Sequence, residues 1–297
     1  MPVYVQHYRL WAGRPTPRWL RWTVITRYHI RQLFAGKGRH PLTALLAASG
    51  LINVVFLAFI YIWANLDLLL LIGMPKPHLP KINSEFFLYP FIPQGFICGL
   101  LTLMVGSGLI ADDRRDNAIA LYLSKPLTSA EYLLGKLGVL AFFILAVTAV
   151  PVNLLFLFEV LMHGGWAFFK AHWWLPLSIT AYSLVIAAVC GSVILMASSL
   201  VKKGALAGVL VIGFFVGHNI LAGILGDIFR SRRMMMLSLQ FDLHRLGLWI
   251  FGVTANESRT VRHMPFSGPD AAWVVLAVVL VCSAIVWRRI RPVEVVK

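Results

Sequence analysis

Charge is scarce in this chain, and acidic charge scarcest. Only 13% of its 297 residues are charged, with 12 Asp and Glu against 27 Lys and Arg. A soluble protein carries about a quarter charged residues, so the deficit excludes an ordinary soluble domain. Cysteine is nearly missing too. Cys98, Cys190 and Cys282 all fall inside apolar runs, which excludes a disulfide framework and leaves them as small core residues. No His-Glu-x-x-His stretch occurs, and no histidine has a partner at metal-ligand spacing. The nearest approach to a phosphate-binding loop is Gly135-Lys136. That loop needs a glycine five residues earlier and Ser or Thr next, where this chain has Ala130 and Leu137. The chain is therefore not expected to hydrolyse ATP by itself.

Apolar sequence fills the space that charge leaves. The chain is 59% hydrophobic with a mean hydropathy of +0.78. Six uncharged runs are long enough, or nearly so, to cross about 30 Å of hydrocarbon: Leu42–Trp63, Phe86–Ile110, Leu137–Phe158, Trp173–Val201, Gly204–Gly226 and the shorter Ala271–Trp287. An all-α membrane protein of six helices follows. A long basic lead before Leu42 is unlike a signal peptide.

The net charge of +15 would suggest nucleic acid in a soluble protein, but here its distribution sets topology instead. Residues 1–41 hold eight Lys and Arg and no acid, which places the N-terminus in the cytoplasm by the positive-inside rule. Six spans then put 112–136, Lys202-Lys203 and the C-terminal Arg288, Arg289, Arg291 and Lys297 inside as well, gathering 18 of the 27 basic residues. Aromatic and aliphatic residues interleaved with arginine before Leu42 fit an interfacial helix lying on membrane lipid. The expected organisation is a basic interfacial segment over 1–41, a permease-like bundle over 42–288 and a tail over 289–297. Residues 227–270 are the awkward part, with six arginines against four acids in a segment assigned outside. Asp242, His244 and Arg245 argue against a seventh span, at about 2.5–3.5 kcal/mol per charge in mid-bilayer. A cap half-sunk in the outer leaflet is expected, with Met234, Leu237, Phe241 and Leu248 facing lipid and Arg245 snorkelling.

Charge concentrates in one stretch, Gly106 to Lys136, between the second and third runs. Asp112, Asp113, Arg114, Arg115 and Asp116 read as the start of a short surface helix that continues through Leu121 and Tyr122 to Leu123. Pro126 ends it. Thr128-Ser129-Ala130-Glu131 has capping-box spacing, with Leu127 and Tyr132 placed as a hydrophobic staple. The three aspartates lie on one helical edge and have the chemistry to hold Mg²⁺. Intramembrane prenyltransferases look like this at the end of their second span, which gives an alternative function: binding Mg-diphosphate through Asp112, Asp113 and Asp116. Such enzymes need a second aspartate-rich cluster, and this chain has none.

The same residues resemble another family more closely. Ile110-Ala111-Asp112-Asp113-Arg114-Arg115-Asp116-Asn117-Ala118, then Leu121 to Thr128 with its Ser-Lys-Pro turn, then Leu134-Gly135-Lys136, are similar to the loop after span two in permeases of type-2 ABC exporters. Asn117-Ala118 stands where Gly-Thr is common, and Lys125 where Arg is frequent. The resemblance implies a permease without its own ATPase, working as a homodimer or with a related permease. Its 113–123 helix would be the coupling helix of a separate ATPase subunit, which would hold the ATP and Mg²⁺. It implies a multi-pass protein of the cell (inner) membrane, with both termini cytoplasmic and spans two and five lining the path. Within span five, Gly213-x-x-x-Gly217 permits close helix approach. His218 and Asn219 beside it are the candidate polar contacts of the pathway. Few polar groups in the spans favour a lipid-like or amphipathic cargo.

Overall fold

In the computed structural model, residues 17–36, 39–65, 82–123, 127–254, 261 and 264–290 are described; at 18, 39, 120, 121, 123, 163, 164 and 232 this covers the backbone alone. Among them every regular element is helical. Six helices are long and apolar enough to cross a membrane: His40–Ala64, Phe86–Arg115, Ser129–Met162, Leu175–Leu200, Gly204–Ile228 and Gly268–Arg289, called spans one to six. All six expected runs are recovered. Spans two and three run longer than their apolar stretches, because helix continues through Asp112–Arg115 and from Ser129 through Lys136.

Span four is the central post. It packs against spans two, three, five and six, and more than half of its apolar centre is buried. Ser183, Ser192, Ser198 and Ser199 are buried along it. Serine is small enough for neighbours to approach, and the Ser183 hydroxyl returns its bond to the helix at Ile179 O (2.8 Å). Spans one, five and six are mostly exposed on their outer faces, as lipid-facing helices are. Cys98, Cys190 and Cys282 are buried and free, as expected.

Span three kinks as its proline demands. Helix is interrupted at Thr148, one turn before Pro151, whose missing N–H leaves the Val147 carbonyl without its helical donor. Span one makes good the loss. The Ser49 hydroxyl, itself buried, donates to Val147 O at 3.0 Å.

An N-terminal helix, Arg21–Ala35, lies against the start of span three. Gly135 and Gly138 make that contact possible: a β-carbon on Gly135 would stand 2.8 Å from Ile25, and one on Gly138 would stand 2.8 Å from the Thr26 hydroxyl. That hydroxyl donates to Gly135 O (2.8 Å). At the other end of span three's connection, Ser129 Oγ donates to Ile290 O (3.2 Å), so the end of span six reaches the same end of the bundle. This will be called the near end.

At the far end a helical hairpin follows span five: a tight turn Arg232–Leu237 and the hairpin helix Leu239–Ile250. The helix closes with Gly252 in the left-handed region (φ 63°) and a Val253 N–H to Leu248 O bond, the Schellman ending that favours glycine. It packs on spans four and six. The lipid-facing stripe expected here is only partly present. Leu237 and Phe241 are exposed, but Leu248 is fully buried against the core and Trp249 is exposed in its place. Arg245 turns inward, its Nε donating to Phe266 O at 3.0 Å. The reason is a helix that must bury one face against span four.

Candidate functional site: the near-end joint

Six elements meet where span two ends. Gly106 lets span four approach, since a β-carbon there would stand 2.7 Å from Ile194; Gly204, opening span five, would meet Gly108 Cα at 3.2 Å. Between these contacts the Ser198 hydroxyl enters the ladder of span two. It accepts from Ile110 N–H (3.1 Å) and Ala111 N–H (2.9 Å) and donates to Ser107 O (2.8 Å). A side chain inserted this way explains why the helix is interrupted at Ser107 and resumes as Gly108–Arg115.

The charge cluster therefore caps span two and does not begin a surface helix. One continuous helix over 113–123 was expected; the chain instead breaks at Asp116–Asn117 and restarts as the short helix Ala118–Leu123. Asn117 takes a left-handed backbone (φ 54°). Asparagine tolerates that region and only glycine does so more readily, which explains the break. Arg114 reaches across to donate to Ser199 O. The capping box is present as read, with Glu131 N–H donating to Thr128 Oγ1 (3.2 Å) and Thr128 N–H to Glu131 Oε2 (2.8 Å). Residues 124–126, with the Pro126 turn, lie outside the described set, as does the Leu121 side chain.

The three aspartates part company. Asp112 and Asp116 share exposed Arg115, at 3.2 and 2.9 Å. Arg115 holds the fully exposed Asp116 carboxyl below its ordinary value. Asp113 turns inward, where its Oδ2 accepts from Lys136 Nζ (2.6 Å) and from Tyr132 OH (2.6 Å). Lys136 is fully buried, and its Nζ also lies 2.6 Å from His29 Nε2 of the N-terminal helix. An ammonium that donates to an imidazole requires the neutral ring. Burial and, next, the neighbouring ammonium push His29 down to about 4, consistent with that arrangement. Tyr122 stands over the same lysine, its ring centre 5.8 Å from Nζ and 5.6 Å from the ring of Tyr132. Burial and then Asp113 raise its phenol. Asp113, His29 and Lys136 line a cavity of about 880 Å³ with Gln32, Arg115 and Lys203.

Sequence reasoning missed His29, Lys136 and Ser198 as members of this joint. The available signal was Lys136 itself, a lysine at the mouth of an apolar run that, once buried, must find a carboxylate. The aspartates do not assemble a metal centre. Among the described residues no group of three or more His, Cys, Asp or Glu is placed to hold one: Asp112 and Asp116 share Arg115, while Asp113 turns away to Lys136. This removes the support for the prenyltransferase alternative.

The remaining candidates lie on span five. Gly204 and Gly208 pack within the chain, but β-carbons on Gly213 and Gly217 would meet nothing within 4 Å. Asn219 is engaged rather than free: its Nδ2 donates to Phe215 O (2.8 Å), and its Oδ1 accepts from Ser238, which ties span five to the hairpin. His218 bonds Phe214 O through Nδ1 (2.5 Å), and its Nε2 has no partner among the described residues.

Compared with protein-family models, residues 82–286 match the ABC-2 family transporter protein. The chain belongs to this family. The match takes in more than half of the chain, from the start of span two almost to the end of span six, with the near-end joint inside it except the N-terminal helix that carries His29 and Gln32. No significant match is found among curated proteins. As an ABC-2 transporter the chain is a multi-pass membrane subunit of a transport system, and the family implies association with an ABC ATPase.

Proposed function

We propose that this ABC-2 protein is the permease of an exporter, that it lies in the cell (inner) membrane with both termini in the cytoplasm, and that a separate ATPase subunit docks on the helix Ala118–Leu123. One observation carries the reading. The short helix at the near end is hung between a left-handed break and a capping box, and its Tyr122 rests on the buried Lys136–Asp113 pair that joins spans two and three. A push on that helix is thereby delivered to both spans. Asp112, Asp113, Arg114, Arg115, Asp116, Leu121 and Tyr122 are the coupling residues in this reading. Asp113 and Arg114 brace the joint from within; Arg115 and Asp116 meet the partner. ATP and Mg²⁺ belong to that partner, and this chain needs no cofactor of its own. A second copy, or a related permease, completes the path along the open face of span five around Gly213, Gly217 and His218, and the scarcity of polar groups in the spans favours a lipid-like or amphipathic cargo.

Purification of the full chain with its ATPase in lipid nanodiscs tests this. Tyr122→Ala and Arg115→Glu should each cut ATPase binding or transport per ATP by about tenfold, the scale of losing an interface anchor. The chain purified alone should show no hydrolysis. ATP turnover by the isolated, contaminant-free chain, or Mg²⁺-dependent prenyl transfer, would overturn the proposal.

A further inference from the structure

The hairpin helix is held in its seat by close contacts. Gly247 lets Tyr182 of span four approach, and Gly268 at the start of span six lies against Trp249, where a β-carbon on either glycine would stand under 3 Å from the ring or its Cβ. Tyr182 OH donates to Leu243 O (3.1 Å), Ser178 Oγ to Ile250 O (2.9 Å) and Arg245 Nε to Phe266 O (3.0 Å). In the middle of this seat is Asp242. It is completely buried, on the face it shares with Leu239 and Leu246. Those leucines pack with Val189, Phe266, Ala271 and Val275.

Neither carboxyl oxygen of Asp242 has a hydrogen-bond partner among the described residues. Charged and titratable groups exist on the surrounding elements, but each is otherwise engaged or turned away. On its own helix Arg245 bonds Phe266 O, and burial lowers the pKa of His244 against the opposing pull of Glu85. Span six contributes Asp270, occupied in the Ser267 capping box; span four contributes Tyr182, donating to Leu243 O; span five contributes His218, bonded to Phe214 O, and Asp227; the turn before the hairpin helix contributes exposed Arg233. Among the described residues Asp242 belongs to no group of three or more His, Cys, Asp or Glu placed to hold a metal cation. A proton needs no other ligand.

We propose that Asp242 is a proton-binding site that latches the far-end hairpin: the neutral acid is seated between spans four and six, and loss of its proton releases the hairpin helix to water. The physical reason is desolvation, since an ionised carboxylate in an apolar, unpartnered site is far costlier than the neutral acid. Burial alone raises Asp242 to about 7. The sign follows. A carboxyl raised when seated favours the seated state below its ordinary pKa near 4, and that advantage is lost as pH rises through about 7. In the proposed topology the far end lies outside the membrane, so release of the hairpin then responds to proton concentration there. That consequence rests on the proposed function, whereas the latch itself does not.

The test uses the full chain in nanodiscs of neutral lipid. Infrared spectra between pH 5 and 9 should show a protonated carboxyl band with a midpoint near 7, absent from Asp242→Asn. Amide exchange over Leu239–Ile250, corrected for the pH dependence of intrinsic exchange, should speed up about tenfold from pH 6 to pH 8. In D242N, and in Asp242→Leu should D242N not fold, it should stay within twofold. Span six, in the same sample, should not change. A carboxyl already ionised at pH 6, or equal pH dependence in native and variant chains, would overturn the latch.

Discussion

Lys136 is the residue on which the near end turns. Its ammonium is wholly inside the protein, and Asp113 is only slightly exposed. Removing either partner strands the other's charge, at about 3–5 kcal/mol for a buried pair. Lys136→Met and Asp113→Asn should therefore each lower the melting temperature in detergent. The pair Lys136→Met with Asp113→Leu should recover most of the loss, because two apolar groups leave no charge behind. His29 adds a pH dependence of its own. Undocked, its imidazole takes up a proton near 6.5; docked against Lys136 it resists until about 4. Docking of the N-terminal helix is thus fully supported above about pH 6.5 and weakens as pH falls toward 4. Amide exchange over Arg21–Ala35 should rise across that window, and His29→Gln should flatten the rise. Only the need of Lys136 for a counter-charge was legible in the sequence. Gly135-Lys136 was read there as a failed phosphate loop. What the pair does, a close approach for one helix and a counter-charge for another, depends on neighbours that only the fold brings near.

Local rules fared better at the scale of elements. The Thr128 capping box, the kink ahead of Pro151 and all six spans were readable, because each depends on residues within a few positions of one another. The helix break inside the charge cluster was not, since neither proline nor glycine marks it. Asn117 alone supplies the left-handed turn. Asn117→Gly should leave stability and partner affinity nearly unchanged. Asn117→Val, which carries a branched β-carbon into that region, should cost about 1–2 kcal/mol and weaken binding of the ATPase, as read by melting and by pull-down with the partner. The hairpin showed the limit of periodicity. Its apolar residues were assigned to lipid, yet Leu248 is buried in the core, because a helix of mixed pattern turns its buried face to whichever surface is nearest.

For the whole molecule the open question is what covers span five. Only a small part of its apolar centre is buried, and Gly213 and Gly217 have free space before them. A second permease packed there brings backbones together at those glycines. Gly213→Leu with Gly217→Leu should then shift the purified chain from dimer to monomer on light scattering and leave its melting temperature within about 2 °C, since a surface change away from packed features moves stability by about 0.5 kcal/mol at most. A dimer that persists would place the partner elsewhere. Topology is testable in cells: Ser231→Cys, in a cysteine-free background, should react with an impermeant thiol reagent while the cells are intact. Ser258, an equally natural labelling position from sequence, lies outside the described residues.

The left-handed residue between Arg115 and Ala118 has a mechanical meaning. Two helices joined through one such residue share an end but not an axis. Thrust along the short helix passes into the end of span two, while rotation of the short helix about its own axis is taken up by the torsions at Asn117. The joint behaves as a universal coupling in a drive train. In the proposed function, a partner seated there would deliver displacement without torque, so that the two halves of the transporter could close on ATP without aligning their helices in angle.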